Sequence, residues 1–302
     1  MGRNAIVGQS GGPTAVINSS LVGVFQAAKS RGAQHVYGMR YGVKGLLEEQ
    51  VVDLSDTLRD NLDIEILKRT PASYLGSCRY KLPVPAEDPA LYEKLFGILK
   101  KLDVGYFFYI GGNDSMDTIS KLSDYACMTG SDIKFMGVPK TIDNDLMNTD
   151  HTPGYGSAAK YIGAIMKEIT RDSLVYGTRN VTIVEVMGRN AGWLTGAAAL
   201  AKAEDCEGVD MICLPEVAFD IDHFIERLDV LQRAKAGVVI AVSEGVRVHD
   251  GRYVCELTEE LGPVDAFGHK TLTGAARFLA NKAVRELGCK ARAIELSTLQ
   301  RC

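Results

Sequence analysis

Ala5-Ile-Val-Gly8 is a short apolar run; Gln9-Ser-Gly-Gly-Pro-Thr14 follows it, and then Val16, Ile17, Leu21, Val24, Phe25 and Ala28 fall at helical spacing. The order reads as strand, tight loop, helix. It recurs along the chain: Val104 to Ile110 runs into Gly111-Gly-Asn-Asp-Ser115, and Ile133 to Val138 into Pro139-Lys-Thr-Ile-Asp-Asn-Asp145. Val181 to Met187 precedes Gly188-Arg-Asn-Ala-Gly192, Met211 to Leu214 precedes Pro215-Glu216, and Gly237 to Val242 precedes Ser243-Glu-Gly245. Alternation of buried strands with helical stretches such as Ser157 to Tyr176 and Phe219 to Ala234 predicts an α/β fold, its sheets parallel and covered by helices on both faces. In such sheets ligands bind beyond the carboxyl ends of the strands, where these polar turns lie. A domain border is expected in the polar, Pro- and Gly-containing stretch from Asp145 to Gly154.

Composition narrows the function classes. The 302 residues are 46% hydrophobic and 24% charged, enough for a sizeable core divided between two domains. A net charge of −4 supplies no basic field for nucleic acid or an anionic membrane. The longest apolar stretches, Ala236 to Val242 and Gly196 to Ala201, fall far short of the ~20 residues that span a bilayer. The seven cysteines stand singly, without a CxxC pair, and read as reduced thiols, mostly in the core. The five histidines show neither HExxH nor companion cysteines at ligand spacing, so a zinc site is not expected. The 31 glycines exceed an average near ~7%, and many fall in the strand-to-helix turns.

Each turn has a plain reading beside a chemical one. Ser10-Gly11-Gly12 opens a helix straight after a strand; it is either an ordinary turn or an anion cradle built from backbone N–H groups and the positive helix end. Gly111-Gly-Asn-Asp-Ser115 repeats the arrangement, with Asp114 as a possible cap. Pro139 to Asp145 places an ammonium, a hydroxyl and two carboxylates at one strand end, a set suited to holding phosphoryl oxygens and accepting an alcohol proton. Gly188-Arg189 and Pro215-Glu216 each close a strand with one charge, as surface turns also do. Gly154-Tyr-Gly-Ser-Ala-Ala159 fits the dinucleotide pattern GxGxxA, but no apolar strand precedes it, so it reads as a decoy.

Taken together, Ser10-Gly-Gly-Pro-Thr14, Tyr74-Leu-Gly-Ser-Cys-Arg79, Gly111-Gly-Asn-Asp-Ser115, Pro139-Lys-Thr-Ile-Asp-Asn-Asp145, Glu185-Val-Met-Gly-Arg-Asn-Ala-Gly192, Leu214-Pro-Glu216 and Leu299-Gln-Arg301 resemble the phosphofructokinase family in order and spacing, from residue 4 to residue 302. The resemblance implies two similar Rossmann-like, three-layer domains with mostly parallel sheets and an active site in the cleft between them. It implies Mg²⁺-dependent phosphoryl transfer to O1 of fructose 6-phosphate by a cytoplasmic homo-oligomer, dimer or tetramer. Residues 1–150 would form the donor and Mg²⁺ domain, completed by 298–302 and a tail beyond; residues 151–297 would bind the sugar phosphate.

Residue by residue, the resemblance makes Asp143 the proton acceptor and Thr141 and Ile142 its neighbours on the substrate. Met187, Gly188, Arg189 and Glu216 would grip the sugar, and Arg292, Thr298 and Arg301 its 6-phosphate, a task that suits the planar guanidinium fork. Gly11, Gly12, Arg79 and Ser115 would touch the phosphoryl donor. Asn113 and Asp114, with Asp145 as a further candidate, would hold the metal. ATP-using members usually read GGDGS and PGTIDND, with glycine where this chain has Asp114 and Lys140. Asp114 adds bulk and negative charge where a nucleotide's α-phosphate would lie, and Lys140 supplies a cation for the leaving phosphate. Both look like the pyrophosphate-dependent branch, so the donor expected is diphosphate; an ATP-dependent enzyme and a non-catalytic regulatory subunit are the alternatives.

Overall fold

The structure is a computed structural model and describes residues 3–175, 177–257 and 274–301. Tyr176, the expected end of a helical stretch, and Cys302, one of the seven cysteines, lie outside the described residues. The chain divides into two compact units, Met1–Thr141 with Arg301–Cys302, and Ile142–Gln300. The border thus falls directly after Thr141, inside the motif that carries Lys140 and Asp143.

The first unit contains β1 (Asn4–Gln9), α1 (Ile17–Ser30), β2 (Val36–Met39), α2 (Gly42–Leu47), β3 (Val51–Asp53), α3 (Leu54–Thr57), α4 (Asn61–Arg69), α5 (Pro89–Lys101), β4 (Val104–Gly111), α6 (Asn113–Thr129) and β5 (Lys134–Pro139). Its sheet runs in the order β3-β2-β1-β4-β5 and is parallel except for β2 and β3. Strand alternation sorts the core: Ala5, Val7 and Ile110 face α1 and α4, while Ile6, Phe107 and Tyr109 face α5 and α6.

The second unit contains α7 (Tyr155–Ser173), β6 (Asn180–Val186), α8 (Trp193–Gly196), β7 (Met211–Cys213), α9 (Ile221–Ala234), β8 (Gly237–Ser243), α10 (Ala275–Leu287) and β9 (Lys290–Glu295), with 3₁₀ turns at Ala197–Ala201, Val254–Leu257 and Ser297–Arg301. Its sheet is parallel throughout, in the order β7-β8-β6-β9. The central strand β8 is buried along its whole length, and Val238, Ile240 and Val242 meet α9 and α10 while Val239 and Ala241 meet α7. Both sheets are thus covered on two faces, the α/β arrangement expected. The strands β2, β3 and β9 were not anticipated.

The GxGxxA match opens α7 with no strand before it; Gly154 stands just ahead of the helix at φ 113°, and the preceding loop is held by Asn144, whose side chain bonds Asp150 O at 3.0 Å and Thr152 N at 2.9 Å. Of the cysteines described, Cys206, Cys255 and Cys289 are buried, Cys78 and Cys213 are half-buried and Cys127 is exposed; none of them is joined in a disulfide. No described helix is long and apolar enough to cross a membrane. Phe107 is fully buried between Tyr109 and Phe135. Phe107→Ala is expected to cost about 3–5 kcal/mol in urea unfolding, the sum of lost transfer energy and an unfilled cavity.

Candidate active site

In the first unit the strands β1, β4 and β5 are neighbours, and Gln9 pairs with Ile110 as Gly111 pairs with Pro139. Their loops therefore emerge side by side. Lys140 N donates to Gly111 O at 3.0 Å, and the Lys140 side chain is buried, with Nζ placed so that a β-carbon on Gly11 would lie 3.3 Å from it. Gly11 itself has φ 77°, a conformation that glycine adopts without strain. The Arg301 guanidinium packs on Gly12 so closely that a β-carbon there would overlap it.

Ser115 and Ser10 join their hydroxyls across the loops, and a side chain on Gly111 would collide with both. Arg79 is exposed on a segment tied to the same loop: Ser77 Oγ donates to Gly11 O at 2.7 Å, and Gly11 N to Cys78 O at 3.5 Å. Asn113 and Asp114 are exposed in the first turn of α6, capped by Gly112. The structure thus brings together Gly11, Gly12, Lys140, Ser115 and Arg301, and tethers Arg79 beside them.

In the second unit the turn Met187-Gly188-Arg189 leaves β6 and is braced from two sides. Gln300 Oε1 accepts the Met187 N–H at 3.1 Å; Ser243 Oγ donates to Gly188 O at 2.7 Å and accepts from Gly245 N at 3.0 Å. Gly188 has φ 127°, and a β-carbon on it would sit 2.5 Å from Ala191 O. Glu244, which sequence reasoning passed over, places its carboxylate on the Gly188 N–H at 3.4 Å. Burial pushes its carboxyl up to about 7; Glu185 and Asp143 add to the rise, while the Gly188 N–H and the Arg189 guanidinium oppose it. The signal for it was the polar Ser243-Glu-Gly245 turn at the end of β8.

The other expected residues have different surroundings. Glu216 is exposed, and its Oε1 accepts the Gly192 N–H at 2.6 Å, which braces the far end of the 188–192 turn. Arg292 pairs with Thr182 toward the amino end of β6, bonding Thr182 Oγ1 at 3.0 Å and Asp172 at 2.7 Å, so the structure does not bring it to the strand ends that carry Arg189 and Glu244. Ile142 is buried in the apolar cluster around α7 and offers a ligand only its backbone. Thr298 and Asp145 are exposed, and Thr141 and Asp143 are half-buried.

Two outcomes follow from this geometry. Gly188→Ala forces a left-handed backbone and a clash with Ala191 O, and should cost about 1–3 kcal/mol in denaturant unfolding. Glu244 titrates above the ordinary 4.5, so its contribution to folding is whole below that pH and is lost as pH rises through about 7. Glu244→Gln should therefore gain stability relative to the parent between pH 5 and pH 8 when both are unfolded in urea at each pH.

The phosphofructokinase family model matches residues 4–302. The pyrophosphate--fructose 6-phosphate 1-phosphotransferase of Methylococcus capsulatus is 41% identical over 95% of this chain and 68% of its own length. That of Rhodospirillum rubrum is 39% identical over 98% of this chain and 72% of its own. Among solved structures, the pyrophosphate-dependent phosphofructokinase of Nitrosospira multiformis superposes with a TM-score of 0.84 at 36% identity, covering 99% of this chain and 70% of that one. By matched length, identity and fold, the chain belongs to the phosphofructokinase family.

Proposed function

We infer that this protein is a diphosphate:fructose-6-phosphate 1-phosphotransferase, a cytoplasmic enzyme that converts diphosphate and fructose 6-phosphate to phosphate and fructose 1,6-bisphosphate. The observation that carries the choice of donor is Lys140, a buried cation with Nζ beside Gly11 at the head of the donor loop. There it meets charge that develops on the departing phosphate, without an adenosine to anchor it. Asp114 supports the same reading by placing an anion at the start of α6. The relatives named above are named for pyrophosphate as donor, and the reaction is near-reversible, since the donor is a phosphoanhydride without a nucleotide.

The residues divide the work. Gly12, Ser115 and Arg79 hold the diphosphate oxygens through backbone, hydroxyl and guanidinium. Arg189, Met187, Gly188, Thr298 and Arg301 hold the sugar phosphate, with Glu244 beside Arg189. As O1 of the sugar bonds to phosphorus and the bridging P–O bond of diphosphate breaks, Asp143 takes the O1 proton and Lys140 and Arg79 receive the charge of the leaving phosphate.

Mg²⁺ fits the donor side in a limited way. No cluster of three His, Cys, Asp or Glu exists among the described residues. Mg²⁺ on a phosphoryl donor needs none, because one or two protein oxygens, water and the substrate's own phosphates complete its shell. The Asp114 carboxylate, exposed and without a hydrogen bond or ion pair among the described residues, and the Asn113 amide oxygen would hold it. When bound, Mg²⁺ neutralises charge on the diphosphate oxygens.

A coupled assay that supplies diphosphate or ATP tests the reading. Turnover is expected with diphosphate; turnover with ATP and none with diphosphate would overturn it. Asp143→Asn should lower kcat by roughly 10²-fold or more with little change in KM, as the loss of a general base does. Asp114→Gly should raise ATP use and reduce the diphosphate-driven rate, read as the ratio of kcat/KM for the two donors.

A further inference from the structure

Gln9 and Asn18 form an interior amide pair for which the chemistry above has no use. Gln9 ends β1, one residue before the donor loop, and Asn18 lies in the first turn of α1; they are 0% and 1% exposed. Gln9 Nε2 donates to Asn18 Oδ1 at 2.9 Å and to Ile17 O at 3.1 Å, while Gln9 Oε1 accepts the Leu75 N–H at 2.9 Å. Asn18 Nδ2 donates to Thr70 O at 2.7 Å and Ala72 O at 2.8 Å, and its Oδ1 also accepts the Tyr74 N–H at 3.1 Å. Both amides thus use both hydrogens and the carbonyl oxygen.

Most of these bonds end on one segment, Thr70 to Leu75, which has no helix or strand of its own. It holds Ala72 at φ 63°, a left-handed backbone that an L side chain resists, so its shape is imposed from outside. Directly after it come Ser77 and Cys78, bonded to Gly11, and then Arg79. The other end of the pair is the loop itself, since Gln9 adjoins Ser10 and Asn18 sits on the helix that the loop feeds.

We propose that Gln9 and Asn18 are positioning residues for the phosphoryl donor. They lock the Thr70–Leu75 segment to the β1–α1 junction, so that Arg79 and the Ser10–Gly12 loop keep one fixed geometry toward the same diphosphate. Neither touches substrate. The proposal rests on the donor assignment above, and its expected signature is a defect confined to the donor side.

The test uses the full chain with Asn18→Ala and, in case that variant does not fold, Gln9→Met, which keeps the volume and removes the bonds to Leu75, Asn18 and Ile17. Either should raise KM for diphosphate about tenfold while KM for fructose 6-phosphate stays within about twofold. Hydrogen exchange of the amides from residue 70 to residue 79 should quicken by about tenfold or more, with β1 and β4 still protected. Unchanged exchange across 70–79, or equal changes in both KM values, would overturn the proposal. If the parent enzyme does not turn over diphosphate, the donor reading falls by itself. The exchange measurement then still decides the clamp: faster exchange confined to 70–79 sustains it, and unchanged exchange removes it.

Discussion

The loops proposed to hold the phosphoryl donor depend on the parallel pairing of β4 with β1 on one edge and β5 on the other. Parallel strands place their carboxyl ends on one side of the sheet, and this register makes Gln9, Gly111 and Pro139 the last residues before three adjacent turns. Everything proposed for phosphoryl transfer there follows from that adjacency. The Lys140 N–H reaches Gly111 O, the hydroxyls of Ser10 and Ser115 meet, and glycine is required at Gly111 because two side chains already fill the space. A one-residue slip of either pairing would turn every side chain of the slipped strand to the opposite face and separate these groups.

The second unit applies the same geometry to a different problem, the holding of a sharp turn. β6 lies between β8 and β9, so the Met187–Arg189 turn can be braced by Ser243 and Glu244 on one side and by Gln300 on the other. The cost is buried charge. Glu185 and Glu244 are both shifted toward the protonated form by burial; several backbone N–H groups on Glu185 and the Gly188 N–H on Glu244 offset part of the penalty. Glu185 spends its carboxylate on the start of α10, accepting from Gly274 and from Ala276 at 2.9 Å, which anchors that helix to the strand leading into the turn.

Much of this was legible in the chain. The strands and the turns around Ser10, Gly111, Pro139 and Gly188 are local patterns, and each appears where periodicity and turn residues place it, with long helices following directly only at Ser10 and Gly111. Other elements were hidden for identifiable reasons. β2 and β3 are four and three residues long, too short for a periodic signal. β9 carries Arg292 on an exposed position, and its burial is partial along its length, so it lacks the apolar run of a central strand.

The sequence by itself determined which chemical groups are present and which local segments carry them, because apolar spacing, glycine turns and motif order are properties of neighbouring residues. Only the tertiary structure decided which distant groups meet. It put Glu244, and not Glu216, on the Gly188 N–H; it engaged Arg292 with Asp172; and it joined Gln9 and Asn18 to a segment more than fifty residues away. These outcomes depend on strand order and register between parts of the chain remote in sequence, and no local pattern encodes the partner that a side chain finds across a sheet.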